Sequence, residues 1–178
     1  MNKFLLVWIV VLITAVGCAH TAVPSTPEPT AEPSPEEVVR AANEAWNAGD
    51  VETLRTLFAE DAMVCFPDFG DECTRGADEI AAWIEELVAQ NFVIEPESVE
   101  VTGDTITVVA EVWADPTRGL GIAPLVTQDV YTVEGGQITS QTSTLTEASA
   151  AKMMEAMAVA ERIALVKAAN EAWNAGDV

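Results

Sequence analysis

Residues 41–61, AANEAWNAGDVETLRTLFAED, are the stretch on which the fold turns. Ala42, Ala45 and Trp46, with Val38 and Val39 just ahead of them, fall on one apolar stripe at helical spacing. Gly49 is expected to stop that helix, because glycine takes up the left-handed conformation of a C-terminal cap without a Cβ penalty. Asp50 then caps a second helix, whose Val51, Leu54, Leu57 and Phe58 are apolar, and Asp61–Phe66 reads as a strand. Upstream, Ser34-Pro35-Glu36-Glu37 carries a helix start at each position: a capping serine, a proline suited to the first turn and a glutamate that completes a capping box.

Downstream, residues 76–90 predict a third helix, with Ile80, Trp83, Ile84, Leu87 and Val88 on one face. The period then changes to that of strands. Residues 97–102 and 105–113 form one hairpin around Gly103-Asp104, and 125–134 and 137–145 form another around Gly135-Gly136. Between the hairpins, residues 114–124 read as a loop with glycine and proline. Helix, helix, strand, helix and four antiparallel strands make an α+β domain, its helices gathered on one side of the sheet.

That order and its sequence resemble SnoaL-like domains of the nuclear transport factor 2-like superfamily. The resemblance lies in residues 41–61, in Arg75-Gly76-Ala77-Asp78-Glu79-Ile80 at the turn into the third helix, and in residues 129–138 (DVYTVEGGQI) at the last hairpin. It covers roughly residues 36–147, within a domain drawn at 34–147. It implies a curved antiparallel sheet wrapped around three N-terminal helices, with a cone-shaped cavity open at one end. It does not imply a reaction, since this superfold hosts isomerases, cyclases, dehydratases, epoxide hydrolases and proteins without chemistry.

Part of the opening stretch returns. Residues 39–51 read VRAANEAWNAGDV and residues 166–178 read VKAANEAWNAGDV, differing only in Arg40 against Lys167. The spacing is that of a domain, well beyond the ~20–50 residues of a solenoid repeat. Residues 148–165 are therefore expected to be a helical linker, and 166–178 the first helix of a truncated second SnoaL-like repeat. The alternative is a tail that mimics the chain's own first helix. With no domain behind it, the helix is expected to be loosely held, or to dock where the first helix of another copy would sit.

The N-terminus sets the compartment. A short basic start precedes an apolar run over residues 4–16, about the length of a signal-peptide core and short for a membrane span. It closes on Ala15-Val16-Gly17-Cys18, which resembles the lipobox of bacterial lipoproteins. The resemblance implies a signal peptide over 1–17, a lipid on Cys18, and a membrane partner reached through that lipid in the bacterial cell envelope. Ala19 is similar to an outer-membrane rather than an inner-membrane signal in Gram-negative lipoproteins. A plain secretory signal with an incidental cysteine is the alternative. Residues 18–33 form a proline-dense tether.

Composition narrows the partners. A net charge of −21, from 29 acidic and 8 basic side chains, disfavours nucleic acid and anionic lipid head groups. With Cys18 acylated, Cys65 and Cys73 remain as an even pair in an oxidising compartment, and a disulfide between them is expected. The only histidine, His20, lies in the tether, so the domain lacks a histidine base, a nucleophile–histidine pair and a histidine metal site. No metal and no cofactor are expected.

Carboxylate chemistry in an apolar pocket remains. Asp129 and Tyr131 lie at i, i+2 on one predicted strand and so share a face, as do Glu111 and Trp113 on another. In steroid-isomerase and cyclase members of the superfamily a desolvated Asp or Glu acts as base beside hydrogen-bond donors. The resemblance therefore makes Asp129 or Glu111 the candidate base and Tyr131 the candidate donor. Trp46, Phe66, Trp83 and Trp113 are the candidate apolar walls. Each has a plainer reading: Asp129 on a solvent-facing edge, Tyr131 and the tryptophans as packing residues, Glu111 on a half-exposed strand. Three functions stand open: a lipid-anchored module binding a small apolar molecule or a peptide, a carboxylate isomerase, cyclase or dehydratase, and an assembly module pairing as a homodimer or with a second domain copy. The tether, the repeat and the thin catalytic set favour binding or assembly over catalysis.

Overall fold

The computed structural model describes residues 32–70 and 72–175. The expected signal peptide, Cys18, nearly all of the expected tether and the end of the expected repeat at 176–178 lie outside them. The elements run α1 (Pro35–Ala48), α2 (Val51–Leu57), β1 (Phe58–Cys65), β2 (Cys73–Arg75), α3 (Ala77–Val88), β3 (Val93–Thr102), β4 (Thr105–Trp113), α4 (Asp115–Gly119), β5 (Leu125–Glu134), β6 (Gln137–Leu145) and α5 (Glu147–Ala175).

Both ends of α1 are fixed locally. Glu37 N–H donates to Ser34 Oγ at 3.3 Å while Ser34 N–H donates to Glu37 Oε2 at 2.8 Å, a reciprocal capping box. At the other end Gly49 sits at φ 68°, with Asp50 N–H bonded to Ala45 O and Gly49 N–H to Trp46 O, a Schellman closure. A Cβ on Gly49 would also stand 3.2 Å from Val88 Cγ1, so the turn packs against α3. Asp50 then accepts from Thr53 N–H and starts α2.

The fold is α+β with a curved, open six-stranded sheet in the order β2-β1-β6-β5-β4-β3. The sheet is mixed, which corrects the expectation of a purely antiparallel one. β1 runs parallel to β6, with Val64 opposite Gln141, while every other neighbouring pair is antiparallel. A parallel pair needs a long crossover rather than a tight turn, and here α3, β3, β4 and β5 all intervene. Phe58 opens β1 opposite Ile138 instead of closing the second helix, since both side chains then enter the core. The segment between the hairpins contains the short α4.

Alternation sorts the sheet into two faces. Ile106, Val108, Ala110 and Val112 of β4 and Leu125, Thr127, Asp129, Tyr131 and Val133 of β5 are buried on one of them. Against it pack Val39, Ala42 and Trp46 of α1, Leu54 of α2, and Ile80 and Ile84 of α3. Each large aliphatic side chain so buried contributes about 1.5–3 kcal/mol.

The expected linker and repeat helix are one continuous helix. α5 runs from Glu147 to Ala175 with only Ser149 buried, and beyond Met153, which packs on the core, no residue of it is buried. Among the described residues no helix is long and apolar enough to cross a membrane.

Candidate functional site: a cavity lined by Asp129

Between the concave sheet face and the helices lies a cavity of about 710 Å³. Trp46 from α1, Trp83 from α3, Phe66 after β1 and Phe92 before β3 line it as one aromatic cluster. Trp46 and Trp83 meet edge to face at 5.9 Å, Trp46 and Phe92 are 5.6 Å apart, and Phe66 and Trp83 are 4.9 Å apart. Ile94, Leu125 and Trp113 extend the apolar wall.

The polar part of the lining comes from two neighbouring strands. Thr127 and Asp129 of β5 and Gln141 and Ser143 of β6 are all buried and all reach the cavity. Register explains the grouping: Asp129 stands directly opposite Ser143, and Tyr131 opposite Gln141. Thr127 Oγ1 donates to Asp129 Oδ2 at 3.2 Å, and Ser143 Oγ donates to Asp129 Oδ1.

Burial pushes the Asp129 carboxyl up to about 6, and the Ser143 and Thr127 hydroxyls oppose that rise by bonding the charged form. Burial also drives the Tyr131 hydroxyl well above its ordinary range, with the nearby Asp129 charge adding to the effect. Tyr131 shares the inner face with Asp129 but is not among the residues lining the cavity; its hydroxyl makes only a long 3.5 Å contact with Asn43 Oδ1. Among the described residues that line the cavity, Asp129 and Glu72 are the only ionisable side chains, both of them acidic.

Glu111 stands elsewhere. It is paired with Val126 and Glu95 and points to the face opposite Ala110 and Val112, away from the cavity. The candidate walls Trp46, Phe66, Trp83 and Trp113 all line the cavity. Thr127, Gln141, Ser143 and Phe92 were not singled out from the sequence. Only the i, i+2 spacing of Thr127 from Asp129 and of Gln141 from Ser143 marks them, and any half-exposed strand shows that spacing.

A staple closes a loop that lines the cavity. Cys65 and Cys73 are joined by a disulfide at the end of the β1–β2 pair, where they stand opposite each other with Cα atoms 4.4 Å apart. The loop it closes supplies Phe66, Phe69 and Glu72 to the cavity, and Asp68 Oδ2 accepts from Leu145 N–H at 2.6 Å, tying the loop to β6. Among the described residues no group of three or more His, Cys, Asp or Glu side chains is placed to hold a metal ion.

The sequence pattern of the SnoaL-like domain matches residues 39–141, more than half of the chain. This chain belongs to the SnoaL-like domain family. Solved structures share the fold. Bal32a from a soil-derived mobile gene cassette is 22% identical at a TM-score of 0.57, over 67% of this chain and 94% of that one. A proposed polyketide cyclase of Sinorhizobium meliloti is 25% identical at 0.51, over 60% and 92%. A hypothetical protein with a ketosteroid isomerase-like fold from Catenulispora acidiphila, in complex with trimethylamine, is 22% identical at 0.53, over 64% and 88%. No curated protein matches the chain.

Proposed function

We propose that this SnoaL-like protein binds a small, largely apolar molecule in its cone and holds it without turning it over, with Asp129 as the polar anchor. One observation carries the reading: a single buried carboxylate, fixed by Thr127 and Ser143, faces an open cavity whose walls are otherwise mostly aromatic and aliphatic. The volume is that of a site for a small organic ligand. Catalysis by a carboxylate base also needs donors aimed at the oxyanion that develops on the substrate. The Thr127 and Ser143 hydroxyls already serve Asp129, and Tyr131 does not reach the cavity. Among the described residues, that leaves the Gln141 amide and the unpartnered Trp46 Nε1–H as the buried donors of its lining, neither of them bonded to Asp129.

A second reading has one observation in its favour. A carboxyl raised to about 6 by burial is poised to take a proton near neutral pH, as an isomerase, cyclase or dehydratase requires. The cyclase neighbour from Sinorhizobium meliloti supports the same chemistry by likeness of fold.

In the same reading the protein is exported and lipid-anchored through Cys18, Cys65–Cys73 is an extracytoplasmic staple, and residues 166–178 open a second domain copy. Native mass spectrometry of the purified chain tests the binding function. A co-purifying small molecule that is lost in Asp129→Asn supports it, and an empty cavity under gentle ionisation contradicts it. Asp129-dependent exchange of deuterium from solvent into the recovered ligand would replace the binding reading by the catalytic one.

A further inference from the structure

We infer that the ligand of the cone is a small organic cation, an alkylammonium group seated among Trp46, Trp83, Phe66 and Phe92 with Asp129 as its counter-ion. The inference rests on the proposed binding function and names the chemical class of that site's ligand.

Three features of the cavity select this chemistry. First, four of its lining aromatic side chains form one contiguous cluster, with ring centroids 4.9–5.9 Å apart, and an aromatic wall attracts an ammonium that reaches it through cation–π attraction. Second, among the described residues the ionisable lining side chains are Asp129 and Glu72, with no lysine, arginine or histidine among them. Asp129 is in none of the ion pairs of the described residues, which involve Arg55 and Arg118. Third, the two hydroxyls that donate to Asp129 hold its ionised form, and a carboxylate keeps lone pairs free for a further charged partner.

The three act together. A neutral ligand would leave the buried carboxylate without a charged partner, and an anion would be repelled by it. An alkylammonium presents methyl and methylene groups to the apolar wall while its charge answers Asp129. The net charge of −21 adds a long-range field that concentrates cations at the protein.

The test is isothermal titration calorimetry of the whole chain at pH 8 with choline and with its neutral carbon isostere, 3,3-dimethylbutan-1-ol. Choline is expected to bind at least about tenfold tighter, the margin that one desolvated cation–π contact and a counter-ion supply. Asp129→Asn is expected to erase that margin. Trp83→Leu, which keeps the carboxylate, is expected to weaken choline more than the alcohol, and a cooperative thermal melt identifies which variants are folded. Equal, saturable binding of both ligands, or a margin that survives Asp129→Asn, overturns the cation assignment while leaving the cavity a binding site. Binding of neither ligand to the wild-type chain overturns the cation assignment, and an empty cavity in native mass spectrometry then removes the binding function with it.

Discussion

Residues 39–48 and residues 166–175 carry the same sequence apart from Arg40 against Lys167, and both are helical. Their surroundings are opposite. Val39 and Trp46 are 2% and 4% exposed inside the cone, whereas Val166 and Trp173 are 61% and 74% exposed on α5. Local sequence therefore decides that the segment is a helix, and the partner it meets decides what the helix is for. In α1, Trp46 becomes a wall of the cavity and Asn43 faces Tyr131; in α5 their copies face water. The same contrast separates two carboxylates, Asp129 on the inner face of β5 and Glu111 on the outer face of β4.

The sharpest break of the comparison is a pair of identical substitutions. Trp46→Ala is expected to cost about 3–5 kcal/mol of unfolding free energy, and Trp173→Ala no more than about 0.5 kcal/mol. Urea denaturation of both variants measures the difference, and comparable effects would mean that α5 is packed against something in solution.

The carboxylate pair comes next. Asp129 has a folded pKa of about 6, above its unfolded value, so the folded state holds this proton more tightly than the unfolded chain does. Its contribution to stability is fully present below about pH 4 and is lost as pH rises through 6, leaving a cost of order 3 kcal/mol at pH 8. Asp129→Asn is accordingly expected to gain stability relative to wild type by about that amount between pH 4 and pH 8. Guanidinium unfolding across that range checks the sign, and Glu111→Gln is expected to leave cavity ligand affinity unchanged.

Opening the Cys65–Cys73 staple has a smaller effect. The Cys65→Ser, Cys73→Ser double variant is expected to lose about 2–3 kcal/mol, the value for a short closed loop, with ligand release accelerated. Smaller still is Gly49→Ala, at about 1–2 kcal/mol, because φ 68° and the 3.2 Å approach to Val88 both oppose a Cβ. A thermal melt measures each.

Strands β4, β5 and β6 occupy the residues their alternation and glycine turns predict, because each is set by local pattern and a tight hairpin. β1 was less legible. Its start at Phe58 and its parallel partner β6 follow from a long-range pairing that leaves no turn signal. The three-residue β2 exists only as the partner of β1, next to the disulfide. In the candidate site, the period of two places Asp129 and Tyr131 on one face, but it does not say which face is inside. Nor does it give the register that brings Ser143 and Gln141 to them. Depth separates the two residues further: Asp129 reaches the cavity and Tyr131 does not, and depth depends on the helices packed above the strand.

The most direct test is a carboxyl-carbon NMR titration of Asp129 in the folded chain. A carboxylate held out of water in a ligand cavity is expected to titrate with a midpoint near 6. A midpoint at or below the ordinary value of about 4 would contradict the account, because Asp129 would then be solvated or paired and the cavity would have no buried anionic centre.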